Sequence, residues 1–191
     1  WEADGEGKRR WATQLVAATL IRRGEYAAAR AQLESLLDTN LFLGRELEQR
    51  CELVAAEGAW DEAPAVLAAA RRHAAHGRLV ALALHADRLD GRLQLASGEP
   101  RGALPPLERA LAGFGALGAE WEGAVTGLAL GETLAALGRD GEAEASLTVS
   151  SAVFERLRVP RELAAARTLL GALGTAREPQ PSRRSRDEHA D

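Results

Sequence analysis

Three histidines are the residues of this 191-residue chain best suited to hold a metal ion. His73 and His76 lie three positions apart, close enough to share one face of a helix, and His85 follows on the next predicted helix. Three imidazoles can ligate zinc or nickel. Histidines near the end of a helix also interact with its terminal carbonyl groups and its negative dipole, and this simpler interpretation is favoured. The prediction is therefore no metal and no other cofactor.

Other signatures of catalysis are weak. Cys51 is the only cysteine, which excludes an intramolecular disulfide and a thiolate metal cage, and its place in a row of small residues favours packing over redox chemistry. The segment 113–118 matches a Gly-x-Gly-x-x-Gly string, but it ends a predicted helix instead of joining a strand to a helix. Ser146, Ser150 and Ser151 have no histidine near them in sequence. We predict that the chain is not an enzyme.

Composition excludes further classes of function. With 46% hydrophobic and 27% charged residues, the chain fits one medium domain or one short solenoid and is not disordered throughout. Twenty-four basic against 28 acidic residues give a formal charge of -4, which disfavours a nucleic-acid-binding surface. Neither a membrane span nor a signal segment is predicted, so a soluble, cytoplasmic protein is expected. The absence of Met and the start at Trp1 suggest a piece of a longer polypeptide.

A glycine-anchored repeat organises the chain and must position any site. Four glycines recur at near-regular intervals, and each is preceded seven positions earlier by a small residue and followed by alanine at the fifth position and leucine at the ninth. Chance predicts about 0.6 glycine-alanine-leucine matches, and four occur. The repeat residues are Gly24, Gly58, Gly98 and Gly138; Ala17, Cys51, Gly91 and Gly131; Ala29, Ala63, Ala103 and Ala143; and Leu33, Leu67, Leu107 and Leu147.

The repeat predicts helical hairpins. Glycine permits the left-handed turn that ends the first helix, the alanine marks the crossing of the two helices, and the leucine fills the groove between them. Because neither helix buries its apolar face alone, each pair needs the next one stacked on it. The predicted pairs are 8–23 with 26–37, 43–57 with 61–75, 79–96 with 100–117, and 119–137 with 140–157, followed by a lone helix over 160–173.

Domain boundaries follow from this pattern. Residues 1–7 are predicted to be loose or to belong to an upstream repeat, residues 8–174 to form the solenoid, and residues 175–191, which balance basic and acidic residues, to form a disordered tail. Pro64 falls in the first turn of its helix, where a missing N–H costs nothing. Pro105 and Pro106 predict a late start or a kink in their helix.

The segments Gly-Glu-Tyr-Ala-Ala-Ala at 24–29, Gly-Ala-Trp-Asp-Glu-Ala at 58–63 and Leu-Gly at 130–131 resemble tetratricopeptide repeats. The longer spacing of the later copies, about 40 residues, resembles the extended repeats in regulatory arms of large bacterial signalling ATPases and transcription activators of the maltose-activator type. The resemblance implies an all-α, right-handed superhelical solenoid of four antiparallel helix pairs with a C-terminal capping helix. The Lys and Asn pattern by which some relatives bind chaperone carboxylates is absent, since Gln14 and Ala18 occupy the matching places.

In such solenoids the leading helix of each pair lines a concave groove, and residues 13, 10 and 6 positions before the turn glycine share its face. Arg88 and Arg92 are the candidates for binding a carboxylate or phosphate of a peptide, and Trp11 and Leu128 the candidates for apolar contacts. The arginines could instead pair with acidic residues of neighbouring helices. The predicted groove residues are Trp11, Gln14, Ala18, Arg45, Glu48, Glu52, His85, Arg88, Arg92, Val125, Leu128 and Glu132.

Two functions are compatible with this groove. The first is a non-catalytic interaction or regulatory module that binds a peptide or partner protein in the groove. The second is the effector-sensing arm of a multidomain, ATP-dependent bacterial transcription regulator, which senses a small molecule or passes a signal to upstream domains of the same polypeptide. Neither function predicts direct binding of nucleic acid or of a membrane by this segment.

Overall fold

The described chain is all-helical. The computed structural model describes residues 2–36 and 43–177, and no β-strand occurs among them, as predicted. No helix in these two ranges is both long enough and apolar enough to cross a membrane. The helices are α1 (Glu2–Arg23), α2 (Tyr26–Glu34), α3 (Leu43–Glu57), α4 (Ala63–Gly77), α5 (Val80–Ala96), α6 (Pro100–Ala116), α7 (Glu120–Ala136), α8 (Asp140–Leu157) and α9 (Pro160–Arg177).

The four repeat glycines form the turns between paired helices, as predicted. Gly24, Gly58, Gly98 and Gly138 have φ angles of 76°, 74°, 79° and 70°, a region that favours glycine because it has no Cβ. After each glycine, the N–H of the next residue donates to the carbonyl five positions earlier, as from Glu99 to Gln94 at 2.9 Å. This is the bond that closes a Schellman turn at a helix end.

The small residues of the repeat lie where two helices cross. A Cβ placed on Gly91 would lie 2.5 Å from Cγ of Leu107 and 3.1 Å from the carbonyl oxygen of Ala103, and Gly131 has the same surroundings in the next pair. Only glycine allows the two helices of these pairs to approach so closely. The repeat alanines and leucines are all buried: Ala29, Ala63, Ala103 and Ala143 are 0% exposed, and Leu33, Leu67, Leu107 and Leu147 at most 5%.

Helices pack on their neighbours along the chain. Each described helix contacts the next one, and the leading helices α1, α3, α5, α7 and α9 also contact one another in order. Backbone packing joins no other pair of helices within the two described ranges. This pattern agrees with hairpins that stack because each needs its neighbour to bury its apolar face.

The turns between successive pairs form a second periodic set that was not predicted from the sequence. Arg78, Gly118 and Arg158 end α4, α6 and α8 with φ angles of 49°, 64° and 55°. They stand one repeat length apart, yet two of the three are arginine. A pattern based on residue type misses this set, because the backbone conformation recurs and the residue does not.

Several predicted boundaries differ from the observed ones. Helix α1 begins at Glu2, so it includes residues 2–7, and α9 continues to Arg177, beyond the predicted solenoid end. The rest of the predicted tail, 178–191, lies outside the described residues. Helix α6 begins at Pro100 and includes both Pro105 and Pro106, so the predicted late start is wrong. The carbonyls that lose a partner belong to residues 101 and 102, which are exposed and can bond to water.

Candidate functional site

The leading helices line an open cavity of about 380 Å³, and every residue lining it comes from one of these five helices. The trailing helices contribute none. Nine of the ten residues predicted to carry binding line it, namely Trp11, Gln14, Arg45, Glu48, Glu52, His85, Arg92, Leu128 and Glu132, and the neighbouring predictions Ala18 and Val125 do so as well. The tenth residue, Arg88, does not line the cavity and lies behind the residues that do.

Two side-chain contacts beside the cavity connect helices that are distant in sequence. Arg161, at the start of α9, donates a hydrogen bond to the hydroxyl of Tyr26, the first residue of α2, and lies 5.3 Å from the centroid of its ring. Arg22, at the end of α1, stacks over the ring of Trp121 on α7 at 4.6 Å. These contacts bring the turn between α1 and α2 close to the N-terminal ends of α7 and α9.

Arg88 cross-links three leading helices. Its side chain is 4% exposed, and its Nη2 contacts the carboxylates of Glu52 on α3 and, at 2.8 Å, Glu122 on α7. Its Nη1 donates to the backbone carbonyl of Glu122 at 3.1 Å, and the guanidinium lies 5.1 Å from the ring centroid of Phe114. The charge of Arg88 is thus balanced by two carboxylates, and the pairing interpretation describes this residue better than ligand binding does.

His85 adjoins this network. Its Nδ1 lies 3.1 Å from Nη2 of Arg88 and 3.0 Å from a carboxylate oxygen of Glu52. Burial lowers the pKa of His85 below its ordinary value, and the nearby carboxylates do not offset this effect. We therefore describe His85 as a neutral imidazole that accepts a hydrogen bond from Arg88. Burial alone would raise the pKa of Glu122, but the adjacent Arg88 guanidinium holds it below its usual value.

The structure does not bring the three predicted histidines together. Among the described residues, the group with metal-ligand geometry is Glu52, His85 and Glu122, whose ligand atoms lie within 4.8 Å of one another. The guanidinium of Arg88 contacts all three of these side chains and is therefore the cation of this cluster. The ring of His76 bonds to the carbonyl oxygen of Arg72, four residues earlier, at 2.8 Å; this carbonyl lies inside α4, so the contact differs from the predicted one with the terminal carbonyls.

Arg92 differs from Arg88 in having no acidic partner. It lines the cavity from α5, and no hydrogen bond or ion pair reaches its guanidinium from the described residues. Its closest ring contact is Trp60, 5.8 Å from Cζ to the centroid. Burial lowers the pKa of Arg92, and Glu132 opposes this only through space. Because an arginine keeps its proton in proteins, Arg92 presents to the cavity a positive charge that no carboxylate contacts directly.

Unpartnered polar atoms also converge on the cavity. Nε2 of Gln14, Oε1 of Gln49 and Oε2 of Glu162 are buried and have no hydrogen-bond partner, and all three residues line the cavity. Gln14 is only 7% exposed. Buried polar groups are nearly always hydrogen-bonded in proteins, so these atoms are expected to bond to water or to a ligand in the cavity.

An apolar patch forms one rim of the cavity. Trp11 is 62% exposed and Leu15 is 48% exposed, and both line the cavity from α1. Leu128 lies half-buried on α7. Trp11 is roughly 16 Å from Arg22 along the helix axis, because each residue of an α-helix rises about 1.5 Å. The apolar side chains therefore lie towards the start of α1, and Arg22 lies towards its end.

The residues supplied by the start of α7 and α9 were not predicted from the sequence. Only positions 13, 10 and 6 before each turn glycine were expected to line the groove, whereas Trp121 and Glu122 lie earlier in α7. Arg161 and Glu162 follow them by one repeat length and occupy the same positions of the repeat in α9. Extending the repeat alignment to these positions would have found all four residues.

Comparison of the chain with protein-family models, with curated protein sequences and with solved structures finds no match in any of the three.

Proposed function

We propose that this chain is a non-catalytic binding module built as a right-handed superhelical solenoid of tetratricopeptide type, and that the cavity between its leading helices is the binding site. Three features support the architecture. Glycine turns recur in all four pairs, the leading helices contact one another in order, and the cavity is lined by leading helices alone.

The observation that carries the proposal is the set of buried, unpartnered polar atoms on one ligand-sized cavity. Leaving a buried donor or acceptor without a partner costs roughly 1 to 3 kcal/mol. Three such atoms lie on different helices, namely Gln14 Nε2, Gln49 Oε1 and Glu162 Oε2. A bound partner that forms hydrogen bonds with them would remove this free-energy cost. A volume of about 380 Å³ lies within the range of small-molecule sites.

Binding without turnover agrees with the groups around the cavity. The imidazole of His85 is already bonded within the Arg88 network, so it is not free to act as a general base. Burial raises the pKa of the Cys51 thiol to about 12, and Cys51 does not line the cavity. A thiol with that pKa is not a nucleophile at neutral pH.

The size of the cavity bears on the two functions derived from the sequence. It accommodates a small molecule or the terminal residues of a peptide, whereas a folded partner protein could reach only its rim. Contacts from α1 to α7 and from Tyr26 to α9 span the cavity, so a ligand there touches both ends of the helix array. This arrangement favours the effector-sensing function and keeps peptide binding as the second candidate.

A cavity-blocking variant tests the proposal. Ala165 is exposed and lines the cavity from α9, so Ala165→Trp should fill the cavity without disturbing the packing. Its neighbour Ala164 is also exposed but does not line the cavity, so Ala164→Trp is the matched control. A library of metabolites and short peptides is screened by thermal shift and native mass spectrometry. Hits should bind the native chain and A164W but not A165W, and equal binding by all three would refute the proposal.

A further inference from the structure

We infer that the molecule bound in the cavity is a small organic anion whose carboxylate or phosphate group lies between the guanidinium groups of Arg92 and Arg161. The inference rests on the proposed binding function and adds the chemical class of the ligand.

Arg92 supplies the inner half of this anion site. Its guanidinium lines the cavity and has no carboxylate partner among the described residues, although the chain as a whole carries a net charge of -4. Several other arginines of the described chain are paired with acids, among them Arg30, Arg71 and Arg109. A positive group left unpaired at a cavity wall attracts an anion, because a charge-assisted hydrogen bond is about twice as strong as a neutral one.

Arg161 supplies the outer half. It reaches the cavity from the first turn of α9, and its side chain is held by the hydroxyl and the ring of Tyr26 and not by an acid. Arg92 and Arg161 line the same cavity, and the charge of Arg161 acts on Arg92 more weakly than the carboxylate of Glu132, which does not touch it. Two guanidinium groups that repel each other are stabilised together by one anion between them, and each can donate two hydrogen bonds to a carboxylate or phosphate.

The other unpartnered atoms describe the rest of the ligand. Gln14 Nε2 donates, so it requires an acceptor on the ligand, whereas Gln49 Oε1 and Glu162 Oε2 accept and require N–H or O–H groups. A ligand with one anionic group and several donors, such as an α-amino acid or a sugar phosphate, meets these requirements. A fatty acid lacks the donors, and a nucleic acid is too large for a cavity of about 380 Å³.

Titration with simple anions tests the inference. Inorganic phosphate and acetate are added separately against chloride at constant ionic strength, and binding is followed by tryptophan fluorescence and by the midpoint of thermal unfolding. Trp121 lines the cavity and Trp60 lies beside Arg92, so both report on this region. At least one anion should bind saturably. Arg92→Gln and Arg161→Gln should each weaken its affinity by about tenfold or more, since a hydrogen bond to a charged group contributes roughly 1.5 kcal/mol or more.

The control is Arg167→Gln, a change on the same helix at an exposed arginine that does not line the cavity. It should leave the anion affinity unchanged. Far-UV circular dichroism checks the fold of each variant. Arg161 is exposed, so R161Q should fold and is sufficient for the test if R92Q does not.

The outcomes separate the inference from the proposed function. Saturable binding of phosphate alone identifies a phosphate ester, and binding of acetate alone identifies a carboxylate, whose amino group is then tested with L-α-amino acids. No saturable response to either anion, or equal affinity in R92Q, R161Q and the native chain, overturns the inference. A ligand that A165W excludes but that R92Q and R161Q bind normally would leave the binding module in place and overturn only its anionic specificity.

Discussion

Replacing glycine with alanine at one position of the repeat should have opposite effects on stability in different copies of the repeat. Gly131 on α7 and Gly171 on α9 are one repeat length apart and lie in the interiors of their helices. A Cβ on Gly131 would lie 2.6 Å from Cγ of Leu147, whereas a Cβ on Gly171 would meet nothing within 4 Å. The difference arises because α7 packs against the trailing helix of its own pair, α8, while no trailing helix follows α9 within the described residues.

The expected magnitudes follow from two opposing effects. Alanine in a helix interior is favoured over glycine by about 0.8 to 1.0 kcal/mol, and this gain is common to both positions. Overpacking a helix crossing costs about 1 to 3 kcal/mol, and this loss occurs only at Gly131. Gly171→Ala should therefore stabilise the chain by up to about 1 kcal/mol, whereas Gly131→Ala should be neutral or destabilise it by up to about 2 kcal/mol.

Urea unfolding followed by far-UV circular dichroism measures both free energies. The helix-propensity gain cancels in the difference between the two variants, which isolates the steric cost of the crossing. We expect a difference of about 1 to 3 kcal/mol, or roughly 2 to 4 °C per kcal/mol in thermal midpoint for a chain of this size. Gly91→Ala should behave as Gly131→Ala does, since its Cβ would lie 2.5 Å from Leu107. Equal stabilisation at Gly131 and Gly171 would refute the close helix crossing.

Three further predictions concern charge and backbone conformation. As pH falls below 6.5, the unfolded chain binds a proton that the buried His85 of the folded chain does not, so the free energy of unfolding should fall by at most about 1.4 kcal/mol per pH unit. In urea unfolding from pH 7.5 to 5, H85Q should remove this slope. The control H76Q, at an exposed histidine, should retain it. Arg88→Met leaves the two carboxylates of Glu52 and Glu122 uncompensated and should lower the free energy of unfolding by about 3 kcal/mol at pH 7. The decrease should be smaller at pH 5, where these groups protonate. A decrease of less than about 1 kcal/mol at pH 7 would contradict the cross-link. Arg158 has φ 55°, a left-handed conformation that favours glycine, so Arg158→Gly should raise the thermal midpoint, with a gain of about 1 kcal/mol in stability. Gly118→Ala should lower the thermal midpoint for the same reason. No change in either variant would count against the left-handed turns.

The helix pairs could be predicted because their determinants are local. A left-handed turn needs glycine and a tight crossing needs a small residue, so Gly98 and Gly91 indicate their environments by residue type alone. The same reasoning identified the face of α1, α3, α5 and α7 that lines the cavity, because residues spaced by three or four positions share one face. These features depend on geometry within one hairpin.

The pairing of charges could not be predicted in this way, because it depends on how neighbouring helices are offset along their axes. Glu52 precedes its turn glycine by 6 positions and Glu122 precedes its own by 16, yet both contact Arg88, which precedes its turn glycine by 10. An alignment of repeats places residues at equal heights and therefore misses these partners. The distinction between the buried, paired Arg88 and the unpaired Arg92 required the structure.

The contact between Arg161 and Tyr26 depends on features still further from local sequence. It joins residues 135 positions apart, and their approach depends on how all the helices between them are arranged. No single repeat contains that information. Arg22 likewise contacts Trp121 on α7, a helix far from its own in sequence.

The contact between the first helix pair and α9 limits how such a chain can evolve. Tandem arrays usually grow or shrink by duplicating or deleting one unit, since each unit touches only its neighbours. Here the insertion or deletion of one unit would carry Arg161 away from Tyr26 and change the shape of the cavity. Selection on that shape would therefore act on the number of units as well as on the side chains that line the cavity, and length variants should be rarer in this array than in one without such a contact.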